Sequence, residues 1–65
     1  MDPLYPDVTV ELSGRDGNAF AIISAVSAAL RRAGRNAAVV KFKAEATEGD
    51  YDHLLQTAMR YVNVV

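Results

Sequence analysis

Asp50, Asp52 and His53 hold the most chemical potential in the chain. A carboxylate three positions before an imidazole at a helix start can orient the ring for general-base work. Such a pair needs a nucleophile, and Ser13, Thr47, Thr57 and Tyr51 are available, with no spacing that selects one of them. The same residues also read as helix grammar. Asp50 suits an N-cap, Asp52 complements the helix dipole in the first turn, and His53 bonds locally or sits at a packing edge. An active site also asks for a sizeable pocket, which a chain of 65 residues seldom encloses. No catalytic residue is assigned, and the expectation is a protein that is not an enzyme.

Metal chemistry is narrowed by composition. There is no cysteine, which removes disulfides, thiolate zinc sites and iron–sulfur clusters. His53 is the single histidine, so a two-His metal site within one protomer is excluded. No metal or cofactor is expected. Gly14-Arg15-Asp16-Gly17-Asn18 precedes a helix N-terminus, a place where backbone N–H groups can cradle phosphate. It matches neither the dinucleotide glycine pattern nor the P-loop, and Asp16 would repel an anion. A glycine-bearing turn with an asparagine cap is the better reading.

The charges are segregated. Residues 1–16 set Asp2, Asp7, Glu11 and Asp16 against Arg15. Residues 17–44 hold only cations, Arg31, Arg32, Arg35, Lys41 and Lys43, and residues 45–65 set Glu45, Glu48, Asp50 and Asp52 against Arg60. The three blocks carry −3, +5 and −3 in a chain whose net charge is −1. The five cations are the candidate partner surface. If they converge, they can grip phosphates in a salt-dependent way. They would equally meet an acidic protein, including the acidic ends of another copy. Arg31, Arg32 and Arg35 also fall at a helix end, where cations are favoured anyway.

The elements that must position these groups follow from periodicity. Met1 to Asp7 reads as a flexible arm, 1–7, broken by Pro3 and Pro6. It has two acids and no basic residue, which is not the chemistry of a signal peptide. Its Leu4 and Tyr5 are available to dock on a partner or on the chain's own surface. The remainder, 8–65, is one small domain. Val8 to Leu12 alternates strictly, predicting a strand with Val8, Val10 and Leu12 facing a core. Asn18 caps a helix from Ala19 to Ala33 that stops at Gly34. Ala19, Ile22, Ile23, Val26, Ala29, Leu30 and Ala33 form its core stripe. The other side carries Ala21, Ser24, Ala25 and Ala28, small enough for another backbone to approach closely.

Residues 39–46 fit two periods. Val40-Lys41-Phe42-Lys43-Ala44-Glu45-Ala46 alternates like a strand, whereas Val39, Phe42 and Ala46 fall at helical spacing with Asn36 placed to cap. The helix is preferred and the strand kept as the alternative. Asp50 caps a third helix, Tyr51 to about Tyr61, with Leu55, Ala58, Met59 and Val62 as its apolar stripe. Val62 to Val65 has strand composition and either pairs with Val8–Leu12 or with another chain. The fold class is α+β, in the order β-α-α-α-β, with β-α-β-α-β as the alternative if 39–46 is extended.

Two stretches resemble a family of small uncharacterised proteins of bacteria and of phages or prophages. One is Gly14-Arg15-Asp16-Gly17-Asn18-Ala19-Phe20-Ala21-Ile22 and the following alanine-rich helix to Gly34. The other is Glu45-Ala46-Thr47-Glu48-Gly49-Asp50-Tyr51-Asp52-His53-Leu54-Leu55-Gln56-Thr57, then Met59, Tyr61, Val62 and Val64. The resemblance spans about residues 8–65 and implies a helix over the central segment. It implies no activity, substrate, cofactor or functional residue.

Function is therefore expected to lie in binding. A chain of this size buries only about 60% of the surface its unfolded form exposes, so self-association is a natural route to stability. The expectation is a cytoplasmic, non-enzymatic interaction or accessory module, phage-derived, whose partner is a protein or a second copy. A nucleic-acid-binding protein using residues 31–43 is the alternative, and an enzyme using Asp50 and His53 the weaker one. No stretch reaches the roughly 20 apolar residues of a membrane span, and no membrane partner is expected.

Overall fold

The first and third helices begin at side-chain caps, and the first stops at a left-handed glycine. The computed structural model describes residues 2–12 and 18–65. The turn and phosphate-cradle readings of residues 13–17 lie outside the described residues. The order is β1 (Tyr5–Val10), α1 (Ala19–Arg32), α2 (Asn36–Ala46), α3 (Tyr51–Tyr61) and β2 (Val62–Val64). This is the α+β, β-α-α-α-β arrangement.

Asn18 caps α1, its side-chain oxygen accepting from the N–H groups of Phe20 and Ala21 at 2.9 and 3.3 Å. The helix closes through a paired C-terminal bond set. Gly34 N–H donates to Arg31 C=O at 3.0 Å, and Arg35 N–H donates to Leu30 C=O at 2.8 Å. That geometry needs a left-handed residue, and Gly34 supplies it with φ of 78°. Asp50 caps α3 by accepting from His53 N–H at 2.9 Å.

The central segment is helical. A strand would have put Val40, Phe42, Ala44 and Ala46 on one face. Instead Ala38, Val39, Phe42 and Ala46 are buried, while Val40 is 71% exposed. Asn36 is not the cap. Arg35 holds that position without a side-chain bond, and Asn36 is the first helical residue.

β1 starts at Tyr5, three residues before the expected Val8, so the last part of the expected arm is strand. It pairs with β2 in parallel, the intervening helices forming the crossover that such pairing requires. Partners are Tyr5 with Val62, Thr9 with Asn63 and Val10 with Val64. Between the first two pairs β1 advances four residues and β2 one, and Pro6 sits in that irregularity. Proline lacks the N–H a ladder needs, so an irregular, edge position is where it is tolerated.

The core gathers Val8 and Val10 from β1, Ile22, Val26 and Leu30 from α1, Phe42 from α2, Leu54 and Ala58 from α3, and Val62 from β2. Phe42 is fully buried and meets Tyr61 edge-on, ring centroids 5.5 Å apart. Tyr61 in turn lies 6.4 Å from Tyr5, and the Arg35 guanidinium caps the Tyr5 ring at 5.2 Å. This row fastens the N-terminal segment to the α2–α3 side. Each aromatic contact adds about 0.5–1.5 kcal/mol beyond area burial.

Candidate functional site

The Asp50–His53 pair is a structural joint. The Asp50 carboxylate accepts the His53 backbone N–H, not the ring. The ring reaches the other way, with Nε2 2.8 Å from the Glu45 carbonyl oxygen near the end of α2. A carbonyl only accepts, so Nε2 carries the proton in this contact. Thr57 Oγ1 donates to His53 C=O at 2.8 Å and lies 3.4 Å from Nε2, too long for more than a weak contact. Gly49 packs directly beneath: a Cβ there would stand 2.9 Å from His53 Cβ and Cγ. The carboxylate-oriented imidazole considered from the sequence is thus not formed by Asp50.

Thr47 and Asp52 have local partners too. Thr47 Oγ1 donates to Lys43 C=O at 2.8 Å, and Asp52 accepts from Gln56 Nε2 at 3.0 Å. Tyr51 is partly exposed and Ser13 lies outside the described residues. Among the described residues, no group of three or more His, Cys, Asp or Glu side chains is placed to hold a metal ion.

The five cations are all exposed, and they are spread over the end of α1, the α1–α2 turn and α2. Arg31 and Arg32 end α1. Arg35 covers Tyr5 and pairs with Asp7 at 3.6 Å. Lys41 and Lys43 are two residues apart on α2, which at about 100° per residue places them on nearly opposite flanks.

The apolar surface was less visible in the sequence. Of the expected stripe, Ala58 and Val62 are buried and Leu55 packs against the core, but Leu54, Thr57 and Tyr61 share the buried face of α3 and Met59 does not. Met59 is therefore turned outward, 61% exposed, and Leu4 beside it is 66% exposed. These two side chains with Asp2, Gln56 and Arg60 line a groove of about 450 Å³. A mostly apolar floor with charged and amide groups at the rim is the anatomy of a docking surface for a protein segment. A second groove of about 310 Å³ runs between β1 and α1, and a third of about 290 Å³ lies beside the exposed Phe20 and Tyr51. Leu4 was legible in the sequence as a residue of the arm able to dock, whereas the outward turn of Met59 was not, because nothing local says which side of α3 meets α2.

No helix among the described residues is long and apolar enough to cross a membrane. No family model, curated protein or solved structure matches the chain.

Proposed function

We propose that this chain is a non-enzymatic interaction module that takes an apolar segment of a protein partner into the groove between Leu4 and Met59. The observation that carries the reading is the exposure of those two side chains, 66% and 61%, on either side of one groove. A methionine suits such a role because its flexible, polarizable side chain adapts to different apolar partners. Asp50, His53 and Thr47, by contrast, are engaged in caps and helix joints. The resemblance to small bacterial and prophage proteins supports reading it as a cytoplasmic accessory protein of phage origin.

The test compares capture by the wild-type chain and by a Leu4→Asp/Met59→Asp variant in host extract, quantified by mass spectrometry. Both positions are exposed, so the variant should keep its far-ultraviolet circular dichroism. The reading expects at least one protein to be retained by the wild type and lost, about tenfold or more, with the variant. Identical capture by both chains overturns it. The nucleic-acid alternative is less supported, since Arg35 is occupied with Tyr5 and Asp7 and the two lysines face apart. Titration with duplex and single-stranded DNA and with RNA at two salt concentrations checks it, and tight, steeply salt-weakened binding would favour it over the proposed function.

A further inference from the structure

We propose, resting on the groove reading above, that residues 2–7 form a strap that builds the Leu4–Met59 groove only while docked, and that Arg35 is the positioning residue that latches it. The two walls of the groove are unlike. Gln56, Met59 and Arg60 come from α3, a helix packed into the core through Leu54 and Ala58. Asp2 and Leu4 come from the chain leading into β1.

That second wall is lightly held. Val8 and Val10 are buried and anchor the later part of β1, whereas Asp2, Leu4, Pro6 and Asp7 are exposed and Pro3 and Tyr5 only partly buried. A segment with few buried apolar contacts opens locally at much less cost than global unfolding. Opening takes Leu4 away and leaves Met59 on a bare helix side. Pro3 and Pro6 limit what the strap gains by release, because each fixes its own φ and keeps the residue before it extended.

Arg35 supplies the latch. Its backbone is fixed at the α1 stop, where its N–H donates to Leu30 C=O at 2.8 Å, and its side chain makes no bond capping α2. The guanidinium instead crosses to β1, where it lies 5.2 Å from the Tyr5 ring centroid and 3.6 Å from the Asp7 carboxylate. A planar cation can stack and pair at once, which an ammonium does poorly. With Tyr5 held against Tyr61 at 6.4 Å, Leu4 N–H reaches Arg60 C=O at 2.8 Å and its side chain stands across the groove from Met59. A partner that touches both Leu4 and Met59 binds the docked strap alone, so occupancy and docking are linked.

The experiment is amide exchange of the full chain, wild type against Arg35→Ala and Arg35→Lys. Leu4 N–H reports the strap, and the amides of Val26 and Leu30, both buried in α1, report the core. Arg35→Ala is expected to speed Leu4 exchange about fivefold and to leave the core amides unchanged, with Arg35→Lys in between. An unchanged Leu4 rate overturns the latch. So does equal acceleration at all three amides, because Arg35 would then stabilise the whole fold and no separate strap. Assembly of the groove is read with Tyr5→Ser/Arg35→Ala, which frees the strap and keeps every groove residue. With its circular dichroism intact, this variant should retain about tenfold less of the host protein that the wild type retains from extract. Full capture by a variant whose Leu4 amide is unprotected overturns the assembly. Should the double variant unfold, the retained host protein must slow Leu4 exchange in the wild type, and an unchanged rate overturns the linkage. A wild type that retains nothing from extract sinks the proposed function, and the exchange rates of the free chain still decide the strap.

Discussion

Tyr61 shows how one residue joins the core to solvent chemistry. It is 4% exposed, and burial is the main cause that pushes its phenol up to about 12. Hydrogen bonding to Glu45 and the charge of that carboxylate add to the shift, against a smaller opposing effect of Arg60. A group whose proton is held more tightly in the folded chain stabilises fully below its unfolded value of 10.0 and loses that contribution as pH rises toward 12. Urea midpoints of the wild type, measured against Tyr61→Phe, should therefore be parallel up to pH 10. The wild type should then lose ground to the variant between pH 10 and 12. Ser27 is the converse case. It is buried to 1% exposure on α1, and its Oγ has no hydrogen-bond partner among the described residues. Ser27→Ala removes a desolvated hydroxyl and gains helix propensity, so it should stabilise the fold by about 1 kcal/mol in denaturant titration.

The caps and breaks are elements in which sequence and structure agree, because each is made within a few residues. Asn18, Gly34 and Asp50 satisfy groups no more than four positions away. The α2–α3 corner adds a contact that local reading does not reveal. Gly49 lies against His53, and His53 ties α3 back to the Glu45 carbonyl. Gly49→Ala should push the imidazole off that bond and cost about 1–3 kcal/mol, an overpacking penalty with no left-handed strain involved. Gly34→Ala should also destabilise, but for the backbone reason, since no atom lies within 4 Å of a Cβ there. Comparing the two by chemical denaturation, with His53 nuclear magnetic resonance shifts as the local probe, separates the causes: only Gly49→Ala should move the ring signals. For α2 the alternation of residues 40–46 was a misleading local pattern. One face of a helix buried Val39, Phe42 and Ala46 against neighbours on both sides, and Val40 was left outside.

At the scale of the whole molecule, the chain ends hold each other. Leu4 N–H donates to Arg60 C=O at 2.8 Å, and the β1–β2 ladder continues from there to Val65. With a radius of gyration of 10.5 Å the protein has little interior to spare. Val62 is 1% exposed at the point where α3 passes directly into β2. Removing residues 62–65 would uncover Val8 and Val10 and delete the only strand that bonds to β1 among the described residues. The truncated chain should lose cooperative thermal unfolding altogether, rather than melt at a slightly lower temperature.

The amino-acid sequence by itself determined the side-chain caps of α1 and α3, the glycine stop of α1 and the inward faces of β1 and most of α1, while it left residues 39–46 open between helix and strand and put the α2 cap at Asn36. Caps, glycine stops and strong periodicity act over one or two turns, so the signals and their effects are neighbours in the chain. Tertiary structure decided the parallel direction and irregular register of β1 with β2, and the docking of Tyr5 on Tyr61 in place of a free arm. It also turned α3 so that Tyr61 and Thr57 point in and Met59 points out, and it engaged His53 with Glu45 instead of with Asp50. Each of those outcomes depends on which element stands opposite. An apolar side chain is equally content in any dry contact, and only the competition among all the packed faces selects one.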